Sequence, residues 1–165
     1  MNTLYRYYAF SVALHWLTVV LMLGAGFLAE DEGGGSPINI HMILGGLLLI
    51  VLIARIIVRF TTKRPAWADT GSPFLNRLGE LVHYGLYGLA FFILGLGGLI
   101  AYDRNLFAVV MGTGTAGGRV GAIGALHHLG WILAVLLIAA HVGAALYHQF
   151  IIKDNLLARM WFAKA

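Results

Sequence analysis

The sequence has no cysteine among its 165 residues. That excludes disulfides, thiolate metal sites, iron–sulfur clusters and the C-x-x-C-H attachment of a covalent haem. Charge is scarce too: 11% of residues are Asp, Glu, Lys or Arg, while 60% are hydrophobic. Soluble domains carry roughly one-quarter charged residues, so a chain this short of charge takes lipid as its solvent. Acid is the rarer sign, with 7 Asp and Glu against 11 Lys and Arg. The basic balance does not indicate nucleic acid, because the Lys and Arg residues gather at the ends of apolar runs, where they report membrane orientation.

What remains is four long apolar stretches: Tyr7 to Ala29, Ile38 to Phe60 (broken only by Arg55 and Arg59), Leu81 to Tyr102, and Val120 to Ile152. Each can cross a bilayer as a helix, with spans near 7–29, 38–60, 81–102 and 125–150. The reading is an all-α, integral membrane four-helix bundle, one domain over residues 1–165 with no room for a separate soluble part. The first stretch resembles a signal peptide in its early Arg6, but its length and the acidic, Gly-rich residues after it predict a retained span. Glu30 to Pro37 reads as a short turn outside the membrane, since Gly33, Gly34, Gly35 and Pro37 all break helices. Ser72-Pro73 reads as an N-cap followed by proline at the first helical position. Met111 to Gly124, rich in Gly and Thr, predicts an irregular loop. Lys63, Arg64 and Arg77 lie between spans two and three, and Lys153, Arg159 and Lys164 lie in the tail. The positive-inside rule therefore puts both termini in the cytoplasm.

Seven histidines occur, most of them inside or at the edges of the spans. An ionisable side chain is costly in lipid and marks a functional site by default, although any one of them alone reads equally as a histidine bonded to a neighbouring helix. Spacing sharpens this. His127 and His141 are fourteen residues apart, which brings them to within about 40° of one helix face, displaced by about 21 Å. His128 points about 140° away from His141 and is the poorer partner. His127, Ala134, His141 and His148 form a seven-residue stripe, and the small side chains of Ala134 and Gly130 leave space for a flat macrocycle.

Depth supplies the opposing residues. His15 lies about 13 Å up the first helix from Arg6, and His141 about 18 Å up the fourth from Lys153, so these two share a level. His41, just past Pro37, and His127, near the start of the last helix, share a second level close to the outer surface. Two neutral imidazoles on opposite sides of an iron satisfy a haem axially and leave no open position, the arrangement of an electron carrier. Zinc would need more ligands converging on one point. The pattern predicts two non-covalent b haems, one per pair, bound between the helices.

Arg55 follows His41 by fourteen residues and so lies near the inner pair. It either pairs with haem propionates or snorkels to the cytoplasmic interface. Arg59 reads as an interface anchor. His83 and His148 are shallower than the inner pair, and two readings stand for them: hydrogen bonding and protonation of a quinone head group, or ordinary interfacial histidines.

The chain resembles the bacterial cytochrome b561 family of di-haem membrane proteins. The resemblance rests on Ala13-Leu14-His15-Trp16, Ile40-His41 with Arg55, His83 with Tyr87, then His127, His141, His148 and the tail Lys153-Asp154-Asn155-Leu156-Leu157 with Arg159-Met160. Within the family the likeness is to the superoxide oxidase type of the bacterial inner membrane. This implies electron transfer from superoxide at the periplasmic face through two haems to ubiquinone. It also implies His15 and His141 as inner ligands, His41 and His127 as outer ligands, and His148 beside the quinone. The sequence departs from the likeness in the doublet His127-His128 and in the Gly-rich loop around Gly112 to Gly118. Arg104 and Arg119 flank that loop and either steer an anion or stand as solvated charges. The acidic Glu30, Asp31, Glu32 and Asp103 on the same side leave open a docking site for a periplasmic redox protein. The alternative function is an electron-transfer subunit for a periplasmic dehydrogenase or hydrogenase.

Overall fold

The computed structural model describes residues 6–28 and 37–162, and the expected acidic turn falls largely outside them. The chain is all-α: α1 (Ala9–Leu28), α2 (Pro37–Thr61), α3 (Pro73–Asp103), a short α4 (Leu106–Val110) and α5 (Gly121–Tyr147). A π-helical turn, His148–Ile152, extends α5, and a 3₁₀ turn, Leu156–Met160, follows in the tail. Four of these helices are long and apolar enough to cross a membrane. Helix is what such segments must form, because hydrocarbon offers no partner for backbone N–H and C=O groups.

The bundle is two helical hairpins. α1 packs along α2 and α3 along α5, while α2 and α3 touch more lightly. Small residues permit the close approaches: a Cβ on Gly24 would lie 3.4 Å from Leu44, and one on Gly85 would lie 3.1 Å from Leu137. In lipid such packing, more than the hydrophobic effect, holds helices together. Leu14, Leu21, Leu48, Val51, Leu52 and Ala90 form the interior cluster, while Phe10, Ile50 and Leu136 face outward. Between the hairpins α1 meets α5 through side chains, His15 with His141 and Phe27 with Trp131. That seam is where the ionisable groups lie.

The amino-terminal residues, the connection after α2 and the carboxy-terminal tail share one end. Tyr7 N–H donates to the Arg159 carbonyl at 3.3 Å, Arg159 Nη1 to Ala66 O at 2.9 Å, and Trp16 Nε1 to Met160 O at 2.9 Å. Ser72 precedes Pro73 in extended conformation, but its hydroxyl makes no capping bond. The turn is instead knit by Asp69, which accepts from Gly71 N–H at 2.9 Å and from Asn76 Nδ2 at 2.7 Å. At the opposite end α4, which the sequence pattern does not announce, precedes an irregular stretch in which Gly112 and Gly118 take positive φ.

The Asn76 amide, with help from Gly71 N–H, holds the Asp69 carboxyl below the usual aspartate range. A depressed folded-state value means that this turn gains stability above the unfolded value of 3.8 and loses it as pH falls through the folded one. The protection factor of the Gly71 amide, with the intrinsic slowing of exchange in acid divided out, should therefore fall as pH drops, and Asp69→Asn should remove that dependence. Trp16→Phe keeps the ring and loses one hydrogen bond, about 1 kcal/mol. Limited proteolysis of the 156–162 tail should be faster in that variant.

Candidate functional site

His41 on α2 and His127 on α5 face each other across the seam, ring centres 6.0 Å apart and planes at 74°. Each has one nitrogen committed to backbone. His41 Nδ1–H donates to Ala25 O at 2.8 Å, and His127 Nδ1–H to Ile93 O at 2.9 Å. A carbonyl can only accept, so both protons sit on Nδ1 and both Nε2 lone pairs are left for another partner. The acceptors are available for definite reasons. Ala25 is among the last four residues of α1, whose carbonyls have no intrahelical donor. Ile93 lies within α3, and the bare Gly97 one turn on lets His127 come close: a Cβ there would lie 3.1 Å from its Cε1.

A cavity of about 350 Å³ adjoins this pair, lined by Met22, Gly26, Gly45 and Leu94 among others. His128 also lines it, but is an exposed residue, unlike His127. The Trp131 ring lies against Gly26, where no Cβ would fit.

At the other level His15 and His141 have ring centres 6.4 Å apart, planes at 63°. Here the polar neighbours are side chains. Arg55 Nη2 donates to His15 Nδ1 at 3.2 Å, and its guanidinium lies 5.4 Å from the Tyr87 ring centre. Arg59, expected at the interface, turns inward and lies over Trp67, Tyr84 and Tyr87 at 5.5, 5.7 and 5.8 Å. Its Nη2 is buried without a hydrogen-bond partner. His83 stands 4.9 Å from His141 and 5.3 Å from Trp67.

The ring-centre separations of both pairs suit a metal between them, but only the His41–His127 pair has both Nε2 lone pairs open. At His15 the Arg55 guanidinium takes the Nδ1 lone pair, so binding a metal through Nε2 requires Arg55 to release Nδ1. Metal–imidazole bonds are about 2 Å and the ring centre lies about 1 Å further, which puts opposed rings about 6 Å apart. The His83–His141 separation is too short for that. No three His, Asp or Glu side chains converge on one point among the described residues, so the pairs stand as pairs. The unpartnered Arg59 Nη2 and the Arg55 guanidinium supply cations that a carboxylate-bearing cofactor needs.

His148 is separate. It begins the π turn, is 7% exposed, and its Nδ1 lies 2.7 Å from Asp154 Oδ2. It does not share its surroundings with His83, which faces Trp67 and His141. Asp154 and the inward Arg59 were not singled out by spacing. An acid placed just past an apolar run, within reach of the run's last histidine, is the signal that points to Asp154. Of the two loop arginines, Arg104 has its Nε occupied by Gly117 O at 3.1 Å, and Arg119 is exposed.

Histidine pairs stacked between apolar helices, with arginines beside them, are an arrangement suited to a membrane cytochrome b. Residues 6–163 match the family described as prokaryotic cytochrome b561. The chain is 30% identical to cytochrome b561 homolog 2 of Escherichia coli, covering 96% of this chain and 93% of that one. It is 25% identical to the probable superoxide oxidase CybB of Yersinia pestis (94% and 95% covered), and 28% identical to cytochrome b562 of Cereibacter sphaeroides (93% and 94%). The chain belongs to the prokaryotic cytochrome b561 family, multi-pass membrane proteins that bind haem b and transfer electrons.

Gly97→Val should push His127 off the Ile93 carbonyl. Absorbance should show less bound haem per chain, while circular dichroism should show unchanged helix content.

Proposed function

We propose that the chain holds two b haems, His15 with His141 and His41 with His127, and that it carries electrons from superoxide at the periplasmic face to ubiquinone in the membrane. The observation that carries the di-haem reading is the matched spacing of the two pairs, 6.4 and 6.0 Å. With fourteen residues between His127 and His141, the two levels lie about 21 Å apart along α5. Bound haem b supplies one-electron iron chemistry. The chain does the rest: the Ala25 and Ile93 carbonyls orient the outer imidazoles, and Arg55 and Arg59 meet propionates at the inner level. His148 and His83 lie toward the end of the bundle that carries Tyr7 and the 156–162 tail, where a quinone head group is to be hydrogen-bonded.

Orientation follows the basic residues. The end carrying Lys63, Arg64 and Lys153 is cytoplasmic, so the His41–His127 level faces the periplasm of a bacterial inner membrane. The donor is proposed from the likeness to the relative named a probable superoxide oxidase. A second reading, a subunit passing electrons for a periplasmic partner, is favoured by one feature: Tyr102, Phe107 and Met111 are exposed beside α4, at the periplasmic end.

Purified protein should carry two haems per chain. His141→Ala should leave about half of the haem and His128→Ala should leave all of it; equal loss in the two would overturn the ligand assignment. In stopped flow, generated superoxide should reduce the haems far faster than an uncatalysed control. If it does not, while a co-purifying redox partner does, the second reading stands.

A further inference from the structure

The tail after α5 is built around one carboxylate. α5 widens into a π turn at His148–Ile152, a distortion that frequently sits at functional sites. Lys153 and Asn155, on either side of Asp154, both take left-handed backbone at φ 61° and 56°. Neither is glycine; asparagine enters this region readily, but lysine does so at a cost, which is accepted at this one place. Their effect is to fold Asp154 back along the helix it has just left. Its Oδ1 accepts from Leu156 N–H at 3.0 Å, which fixes the carboxyl, and its Oδ2 lies 2.7 Å from Nδ1 of the buried His148. The Asp154 side chain keeps 22% exposure, so the pair joins an interior imidazole to the aqueous end of the bundle.

We propose that Asp154 is the positioning residue of a proton-donating pair, holding His148 as the imidazolium, its Nδ1–H on the carboxylate and its Nε2–H directed to a quinone carbonyl oxygen, so that loss of the Nε2 proton leaves the neutral Nδ1–H tautomer. The inference rests on the quinone reading above and adds to it a residue and a proton source. A carboxylate on Nδ1 fixes the tautomer and stabilises the imidazolium, as a second partner does for histidine generally. The stoichiometry closes: a quinone takes two electrons from a one-electron reductant in successive transfers and two protons, becoming the quinol. One proton leaves His148 Nε2, whose bonding pair stays on the nitrogen; the other comes from water. A proton from the aqueous side then restores Nε2–H, while Asp154 stays ionised throughout.

The test uses full-length, haem-loaded protein in lipid nanodiscs. The protein is chemically reduced without oxygen and mixed with a short-chain ubiquinone, so the natural donor plays no part. Asp154→Asn should slow haem reoxidation about 10- to 100-fold, with haem content and spectra unchanged and quinone affinity, from tryptophan quenching, altered less than about threefold. Asp154→Glu should recover most of the rate, and Asp154→Asn should add nothing in a His148→Gln background. Reoxidation of Asp154→Asn at the wild-type rate would overturn the proposal. So would a slowing matched by haem loss, or by a parallel loss of quinone affinity, since either would mark Asp154 as a structural residue. Wild-type protein that quinone fails to reoxidise would overturn the quinone reading itself, and with it the pair's role.

Discussion

An imidazole has two nitrogens, and the interior of a bilayer offers water to neither. At four of the interior histidines the structure supplies a partner for one of the two, Nδ1. At His41 and His127 the backbone takes Nδ1–H and leaves Nε2 with its lone pair. At His148 a carboxylate takes it, and at His15 a guanidinium donates instead. An unpaired polar group in such a place costs several kcal/mol, so each of these partners is a condition for the histidine being there at all.

The two levels solve the problem differently. Backbone carbonyls are part of helices that cannot swing, so the His41–His127 level is set by the packing of α1 and α3. The His15–His141 level is set by side chains, two arginines one turn apart and the aromatic rings of Trp67, Tyr84 and Tyr87 against them. Arg59 could not have been read this way from spacing. Near the end of an apolar run a guanidinium that snorkels and one that folds inward have the same sequence neighbours, and only the rings contributed by α3 and the preceding connection decide between them.

Much else was legible. Long uncharged runs dictate helices, and helical arithmetic alone stacks His127 over His141 and matches each with a residue of similar depth. In the doublet at 127 and 128, the His127 ring lies 6.0 Å from His41 across the seam, while His128 is exposed at the cavity. What the pattern leaves out are features made by backbone geometry. α4 is a single short turn with no periodicity to announce it, and the fold-back of Asp154 depends on two left-handed residues that are not glycine. The approach of His127 to the Ile93 carbonyl depends on Gly97, one glycine among 22.

The histidines are shared unevenly between the hairpins. α1 and α2 contribute one to each level, and α5 contributes both of their counterparts. Neither hairpin holds a complete pair, yet the first already has His41 tied to the end of α1. The amino-terminal hairpin thus holds one half of each proposed site, and the Ala25 carbonyl that sets the outer half's tautomer belongs to the same hairpin. The carboxy-terminal hairpin closes both sites at once. A cofactor bridging the seam as proposed would fasten two halves that otherwise touch chiefly through side chains, and would thereby stabilise the assembled bundle over two separate hairpins.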